Sequence, residues 1–177
     1  MLYKTLKVLH LIGIIVFLGS VLGHVATGAL GGTVISSPEF LAARENIATL
    51  TRILTLPGLA LTMASGLALA SVARMNPIHV QWLGLHGALA VVVVVLTATV
   101  VAPAGRRVLQ GALSVGTSAV SLPDIQASLM SEHVFGAVNI ALSLAAIGLA
   151  VWRPRFSRRL PAARPLRSTH DVAAGGG

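Results

Sequence analysis

Leu6-Lys7-Val8-Leu9-His10-Leu11-Ile12-Gly13-Ile14-Ile15-Val16-Phe17-Leu18-Gly19-Ser20-Val21-Leu22-Gly23-His24 is an apolar run long enough to cross a bilayer, and it carries two histidines. They stand 14 residues apart, which on a helix turning about 100° per residue leaves them within about 40° of one another and about 21 Å apart along the axis. Both therefore face the same neighbouring element, one near each membrane surface. Gly13 and Ser20 lie on that face and leave little bulk where a flat ligand would approach the backbone. A helix that holds two haem groups, one per leaflet, needs this pattern.

The rest of the chain agrees with a membrane setting. Of 177 residues, 55% are hydrophobic and 10% are charged, whereas soluble domains carry about 25% charged residues; mean hydropathy is +0.85. Four apolar runs, approximately 4–30, 47–73, 80–103 and 131–152, each meet the requirement of about 20 residues for a spanning helix. The expected fold is all-α: a four-transmembrane-helix bundle over residues 1–152, followed by a basic tail, 153–177, that composition marks as disordered. The first run is longer than a signal-peptide core and contains His10, so it reads as a retained helix.

Charge sets the expected orientation. Arg153, Arg155, Arg158, Arg159, Arg164 and Arg167 follow the fourth run, Lys4 and Lys7 sit at the start of the first, and Arg74 lies between the second and third. The opposite side holds Arg44, Arg52, Arg106 and Arg107 together with Glu39, Glu45, Asp124 and Glu132. The positive-inside rule then makes both termini cytoplasmic in a multi-pass protein of the bacterial inner membrane. The tail's charges suit anionic lipid head groups. With Phe156 its one aromatic residue and no recognisable fold, the tail does not read as a nucleic-acid partner. Cysteine is absent, which excludes disulfides, iron–sulfur clusters, thiolate zinc and covalently attached c-type haem.

Between the runs, Ser36-Ser37-Pro38-Glu39 reads as a turn or helix start, and Glu39 to Asn46 as a surface segment. Pro57 predicts a kink in the second helix, Met75-Asn76-Pro77 a short turn, and Pro103 with Gly105 the end of the third. Residues 108–131 read as a loop holding at most a short interfacial helix. Asn139 and Ser143 suit interhelical hydrogen bonds.

Ionisable groups inside a membrane are costly and are functional candidates by default. His79 falls at the membrane edge and His170 in the tail, leaving four histidines. With the amino terminus inside, His10 and His86 come early in outward-running helices and share the inner leaflet. His24, late in the first helix, and His133, early in the fourth, share the outer leaflet. Each pair draws on two helices at one depth, as a bis-histidine haem b requires, because low-spin iron takes one neutral imidazole on each face of the ring. One or two haems would carry electrons across the bilayer between a quinone or other membrane donor and a membrane or periplasmic redox partner. Arg52, or Arg106 and Arg107, lies at the depth of the outer propionates, and Arg74, Arg153 or Arg155 at that of the inner ones. His10 and His86 also suit a proton relay or quinone pocket. A non-redox structural or transport accessory subunit stays open as well. No catalytic set is legible, and the Gly-lined helices suit a homodimer.

Leu6-Lys7-Val8-Leu9-His10 with Phe17-Leu18-Gly19, then Thr51-Arg52-Ile53-Leu54-Thr55-Leu56-Pro57-Gly58 with Ser65-Gly66-Leu67-Ala68-Leu69, and Trp82-Leu83 before His86 resemble the small four-helix membrane proteins grouped around the CopD copper-resistance membrane domain. That group includes predicted integral membrane proteins without an assigned role and the membrane-embedded protoporphyrinogen oxidase. The resemblance spans most of residues 2–105. It implies haem binding, with Leu9-His10 at the oxidase family's amino-terminal Leu-His, and a porphyrinogen or quinol oxidase as the enzymatic alternative. Gly23-His24-Val25-Ala26 departs from that family's Pro-Arg-containing segment. Met1, Met63, Met75 and Met130 form no cluster that would serve copper.

Overall fold

A computed structural model describes residues 1–74, 80–114 and 121–153. His79, His170, the Met75-Asn76-Pro77 turn and the tail beyond Arg153 lie outside the described residues. Those described are helical, without a strand among them. Four helices are long and apolar enough to cross a membrane: Leu2–Leu30 (α1), Pro38–Val72 (α2), Gln81–Leu113 (α3) and Leu122–Trp152 (α4). Ile15, Leu22, Leu67 and Leu144 stand more than half exposed on the outside of the bundle, which is the surface lipid would cover.

Three helix boundaries differ from the sequence expectation. Helix α2 begins at Pro38 rather than near residue 47, because Ser37 caps it by accepting the Phe40 N–H at 3.1 Å and Pro38 pre-sets the first turn. Helix α4 begins at Leu122 rather than near 131, with Ser121 accepting the Asp124 N–H at 3.4 Å and Pro123 in its first turn. Helix α3 passes through Pro103 and continues to Leu113. The stretch 108–131 is therefore not a loop over 108–113 or 122–131. At about 1.5 Å per residue, the 35 residues of α2 extend about 52 Å, well beyond a hydrocarbon core of about 30 Å.

Both prolines are absorbed by one device. Proline has no N–H, so the carbonyl four residues before it loses its donor. In α2 the chain widens into a π-turn at Thr51–Thr55, where the Leu56 N–H reaches back five residues to the Thr51 carbonyl. In α3 the same turn occupies Thr97–Val101, with the Ala102 N–H on the Thr97 carbonyl. The stop expected at Pro103 is not made, since the π-turn lets the helix continue, and at Pro57 a π-turn accompanies the proline where a kink was expected.

The helices pair as two antiparallel hairpins, α1 with α2 and α3 with α4. In the first, Gly13 lies against Thr62 and Gly58 against the Phe17 backbone, so closely that a Cβ on either glycine would stand 2.8 or 2.9 Å from a main-chain nitrogen. In the second, successive levels are marked by His86 on the Ala146 carbonyl, Asn139 on Thr97 and Gly111 against Ile125.

The hairpins meet in two places. A buried layer of Phe17, Leu59 and Val93 joins them midway, and Phe40, Val108 and Ile125 join them at the end remote from the chain termini. At that far end Arg44 of α2 and Glu132 of α4 form an ion pair at 2.6 Å, with side chains only 5% and 13% exposed. Near the termini, Arg153 closes α4 in a left-handed conformation, φ 44°, and its guanidinium lies 5.4 Å from the centre of the Trp82 ring of α3.

Candidate functional site

His10, His24, His86 and His133 fall at two levels along the bundle. His10 and His86 stand on the side of the Phe17 layer nearer the termini, and His24 and His133 on the far side. What each ring touches separates the two pairs.

His10 points from α1 to α2. Its Nδ1 lies 3.0 Å from the Thr62 carbonyl and 3.2 Å from the Ser65 hydroxyl, and the ring lies close to Gly66, where a Cβ would come within 3.1 Å of Cε1. His86 repeats this in the other hairpin, its Nδ1 lying 2.8 Å from the Ala146 carbonyl of α4. A carbonyl can only accept, so in both rings Nδ1 carries the proton and Nε2 keeps its lone pair. No hydrogen-bond partner for either Nε2 is present among the described residues. The rings belong to different hairpins.

His24 is held differently. Its Nδ1–H donates to the Ser20 carbonyl one turn back, at 2.6 Å, and its Nε2 lies 2.8 Å from the Thr51 hydroxyl of the α2 π-turn. That hydroxyl also lies 2.9 Å from the Ile47 carbonyl. The Ile47 carbonyl also accepts the Thr51 main-chain N–H, so the Thr51 hydroxyl proton can go to the His24 Nε2 without leaving either acceptor unpaired. His133 is exposed and shows no hydrogen bond among the described residues.

Both far-end histidines line one chamber of about 950 Å³ between the hairpins, at the upper end of the 300–1,000 Å³ usual for cofactor and ligand sites. Both π-turns open onto it, through Thr51, Arg52 and Thr55 on one side and Thr97, Ala98 and Val101 on the other. The sequence expectation set Arg52 and Arg106 at this depth, and both line the chamber; Arg107 does not. The Arg44–Glu132 pair stands on the wall at the far end, and Phe17, Leu18 and Val21 on the wall toward the central layer.

Thr55, Thr97 and Asn139 also stand on this wall. Ser20 and Thr55 are buried and joined at 2.6 Å. Across from them, Thr97 donates to the Val93 carbonyl at 2.8 Å, and its oxygen accepts the Asn139 side-chain N–H at 2.9 Å. Because the Thr97 proton is committed to Val93, the Asn139 amide is oriented with Nδ2 toward Thr97. Its Oδ1 is then buried without a partner among the described residues, in a residue only 6% exposed. Asn139 thus makes an interhelical bond, whereas Ser143 turns back onto the Asn139 carbonyl of its own helix at 2.8 Å. The signal available in the sequence was the repeated Thr-x5-Pro spacing of Thr51 to Pro57 and Thr97 to Pro103.

Among the described residues no three His, Cys, Asp or Glu side chains converge on one point. A metal held by a many-ligand protein cage is thus not on view, while a two-imidazole site is a different geometry. Comparison with known protein families, with curated proteins and with solved structures finds no match to this chain.

Proposed function

We propose that the protein is a b-type haem protein of the bacterial inner membrane that passes electrons across the bilayer, with its iron between His10 and His86. One observation carries this reading: two imidazoles from different hairpins, each with Nδ1–H donated to a main-chain carbonyl and Nε2 unengaged. A ring nitrogen that donates to a carbonyl fixes the tautomer and raises the basicity of the other nitrogen, which is how metal-bound histidines are held. The donor set fits low-spin iron, which takes one neutral imidazole on each side. Gly66 supports the same reading, since a Cβ there would crowd the His10 ring at Cε1. When bound, haem supplies reversible one-electron transfer at its iron. The residues of this chain fix both ring orientations and exclude water from the apolar interior.

The far-end pair fits iron less well. His24 would have to give up the Thr51 hydroxyl, and His133 has no partner to orient its ring. In this reading the chain termini lie in the cytoplasm, as the basic residues around them favour, and the far-end chamber faces the outer leaflet. The resemblance to CopD-like proteins agrees with a haem role. The cytochrome is favoured over a porphyrinogen oxidase by the departure at Gly23-His24-Val25-Ala26.

A reduced-minus-oxidised absorption spectrum of the purified full chain tests the proposal. A Soret and an α band are expected, and His10→Ala or His86→Ala should each abolish them while His24→Ala leaves most of the haem in place. Absence of both bands from the wild-type protein, or their survival in His10→Ala and His86→Ala, would overturn it.

A further inference from the structure

The far-end chamber changes character along the bundle axis. Toward the central layer its wall includes Phe17, Val21 and Ile140, and at the far end Arg44, Arg52 and Arg106. A spanning helix uses about 20 residues, and that count taken from Val72, Gln81 and Trp152 arrives at Arg52, just short of Arg106, and at Glu132. The guanidiniums therefore stand where hydrocarbon gives way to head groups, and the apolar wall lies at acyl-chain depth. Three guanidiniums face one carboxylate, because Glu132 is the one acidic residue on the wall among the described residues. Glu132 occupies only Nη1 of Arg44. The Nε and Nη2 of that nearly buried side chain have no hydrogen-bond partner among the described residues, yet neither is sealed from open space. Arg52 and Arg106 form no ion pair among the described residues. His24 and His133, the other titratable groups on the wall, carry no negative charge in either protonation state. The chamber also opens on the flank of the bundle, since Val25 and Leu56 line it while standing 57% and 42% exposed.

We infer that the chamber binds a lipid whose head group is a phosphate monoester, with the phosphate at the Arg44, Arg52 and Arg106 end and a chain along Phe17, Val21 and Ile140. A guanidinium presents paired N–H donors that match phosphate oxygens. A phosphate monoester carries a charge of about −1.5 to −2 at neutral pH, close to the positive charge that Glu132 leaves uncompensated on the wall. A phosphodiester head brings less charge, and a free phosphate ion leaves the apolar end unfilled. The opening at Val25 and Leu56 lets a chain run out into the bilayer. The site stands on its own lining and does not depend on haem at His10 and His86.

Native mass spectrometry of the full chain in detergent tests this, with dioctanoyl phosphatidic acid, dioctanoyl phosphatidylglycerol and inorganic phosphate titrated separately. Phosphatidic acid should bind about tenfold more tightly than either of the others. Arg52→Gln and Arg106→Gln should each weaken it about tenfold, the size of one charge-assisted hydrogen bond. Arg107→Gln removes the same charge beside Arg106 but from outside the chamber, and should leave the affinity unchanged, as should Arg158→Gln in the basic tail. Equal weakening by Arg106→Gln and Arg107→Gln would mean attraction to net charge alone and would overturn the inference. So would equal affinity for phosphatidic acid and phosphatidylglycerol, equal affinity for phosphatidic acid and inorganic phosphate, or no binding of phosphatidic acid. A photoreactive group on the acyl chain of phosphatidic acid locates the lipid in the wild-type protein, whatever the variants do to folding. Crosslinks are expected within 17–25 and 132–143, and crosslinks confined to the tail would overturn the site. An α band missing from the same sample overturns only the haem reading.

Discussion

Gly13→Ala offers a way to reach the His10 site without touching a histidine. The added Cβ would stand 2.6 Å from Thr62 Oγ1 and 2.8 Å from the Thr62 main-chain nitrogen. A hydroxyl can rotate away, but a helix backbone cannot. Ordinary contact begins near 3.4 Å, so α1 must retreat from α2 by about 0.6 Å at this level. His10 is three residues away on the same face, and its Nδ1 sits 3.0 Å from the carbonyl of that same Thr62. A retreat of that size carries the bond to about 3.6 Å, beyond hydrogen-bonding range. Overpacking of this kind costs about 1–3 kcal/mol, and the loosened ring no longer presents a fixed tautomer. The expected result is a lower thermal midpoint and, on the haem reading proposed above, a weakened or broadened α band. Gly19→Ala, where a Cβ meets nothing within 4 Å, is the control and should change neither. A Gly13→Ala protein with wild-type midpoint and spectrum would refute the link between this helix contact and the ring.

Glu132→Gln strands the Arg44 guanidinium in a nearly dry setting and should cost about 3–5 kcal/mol, read as a lowered midpoint on heating. The double change Arg44→Met with Glu132→Leu should recover most of that loss, and equal damage from single and double variants would show that the pair's charge is not what matters. Trp82→Ala removes the ring under Arg153 and should cost about 0.5–1 kcal/mol beyond the packing lost. Arg153→Met in the Trp82→Ala background should then have no further effect on the midpoint, which a double-mutant cycle checks.

The fold was largely readable because the apolar runs are long and the charges sit between them, so four helices follow from counting residues against a bilayer. The levels of His10, His24, His86 and His133 were readable for the same reason, since an alternating topology fixes depth once the helices are placed. The far-end extensions were harder. Pro103 followed by Gly105 has the composition of a helix stop, and only the π-turn at Thr97–Val101 lets the helix continue. The Ser121-Leu122-Pro123-Asp124 capping signal was in the sequence, but the polarity of the residues after it disguised a helix that extends past the bilayer. The Arg44–Glu132 pair joins residues 88 apart on different hairpins, and no local pattern announces such a contact. Asn139 was legible as a hydrogen-bonding residue, but its unsatisfied oxygen depends on where the Thr97 proton goes.

The two π-turns connect these points. A π-turn carries one residue more per turn than its surroundings, which offsets the helix locally and moves side chains off the regular face. Here both offsets fall on the wall between the hairpins, and each begins with a threonine bonded to the neighbouring helix of its own hairpin: Thr51 to His24, and Thr97 to Asn139. Polar pairing inside each hairpin satisfies most of the hydroxyls and amides that the turns expose, so neither hairpin needs the other for that purpose. They can then stand apart at this level and close only above and below it, at the Phe40–Val108–Ile125 layer and the Phe17–Leu59–Val93 layer. The chamber is the space this leaves, and both threonines where the turns begin line it. Proline placement in two helices thus determines both where a ligand fits and which hydrogen-bonding groups it meets.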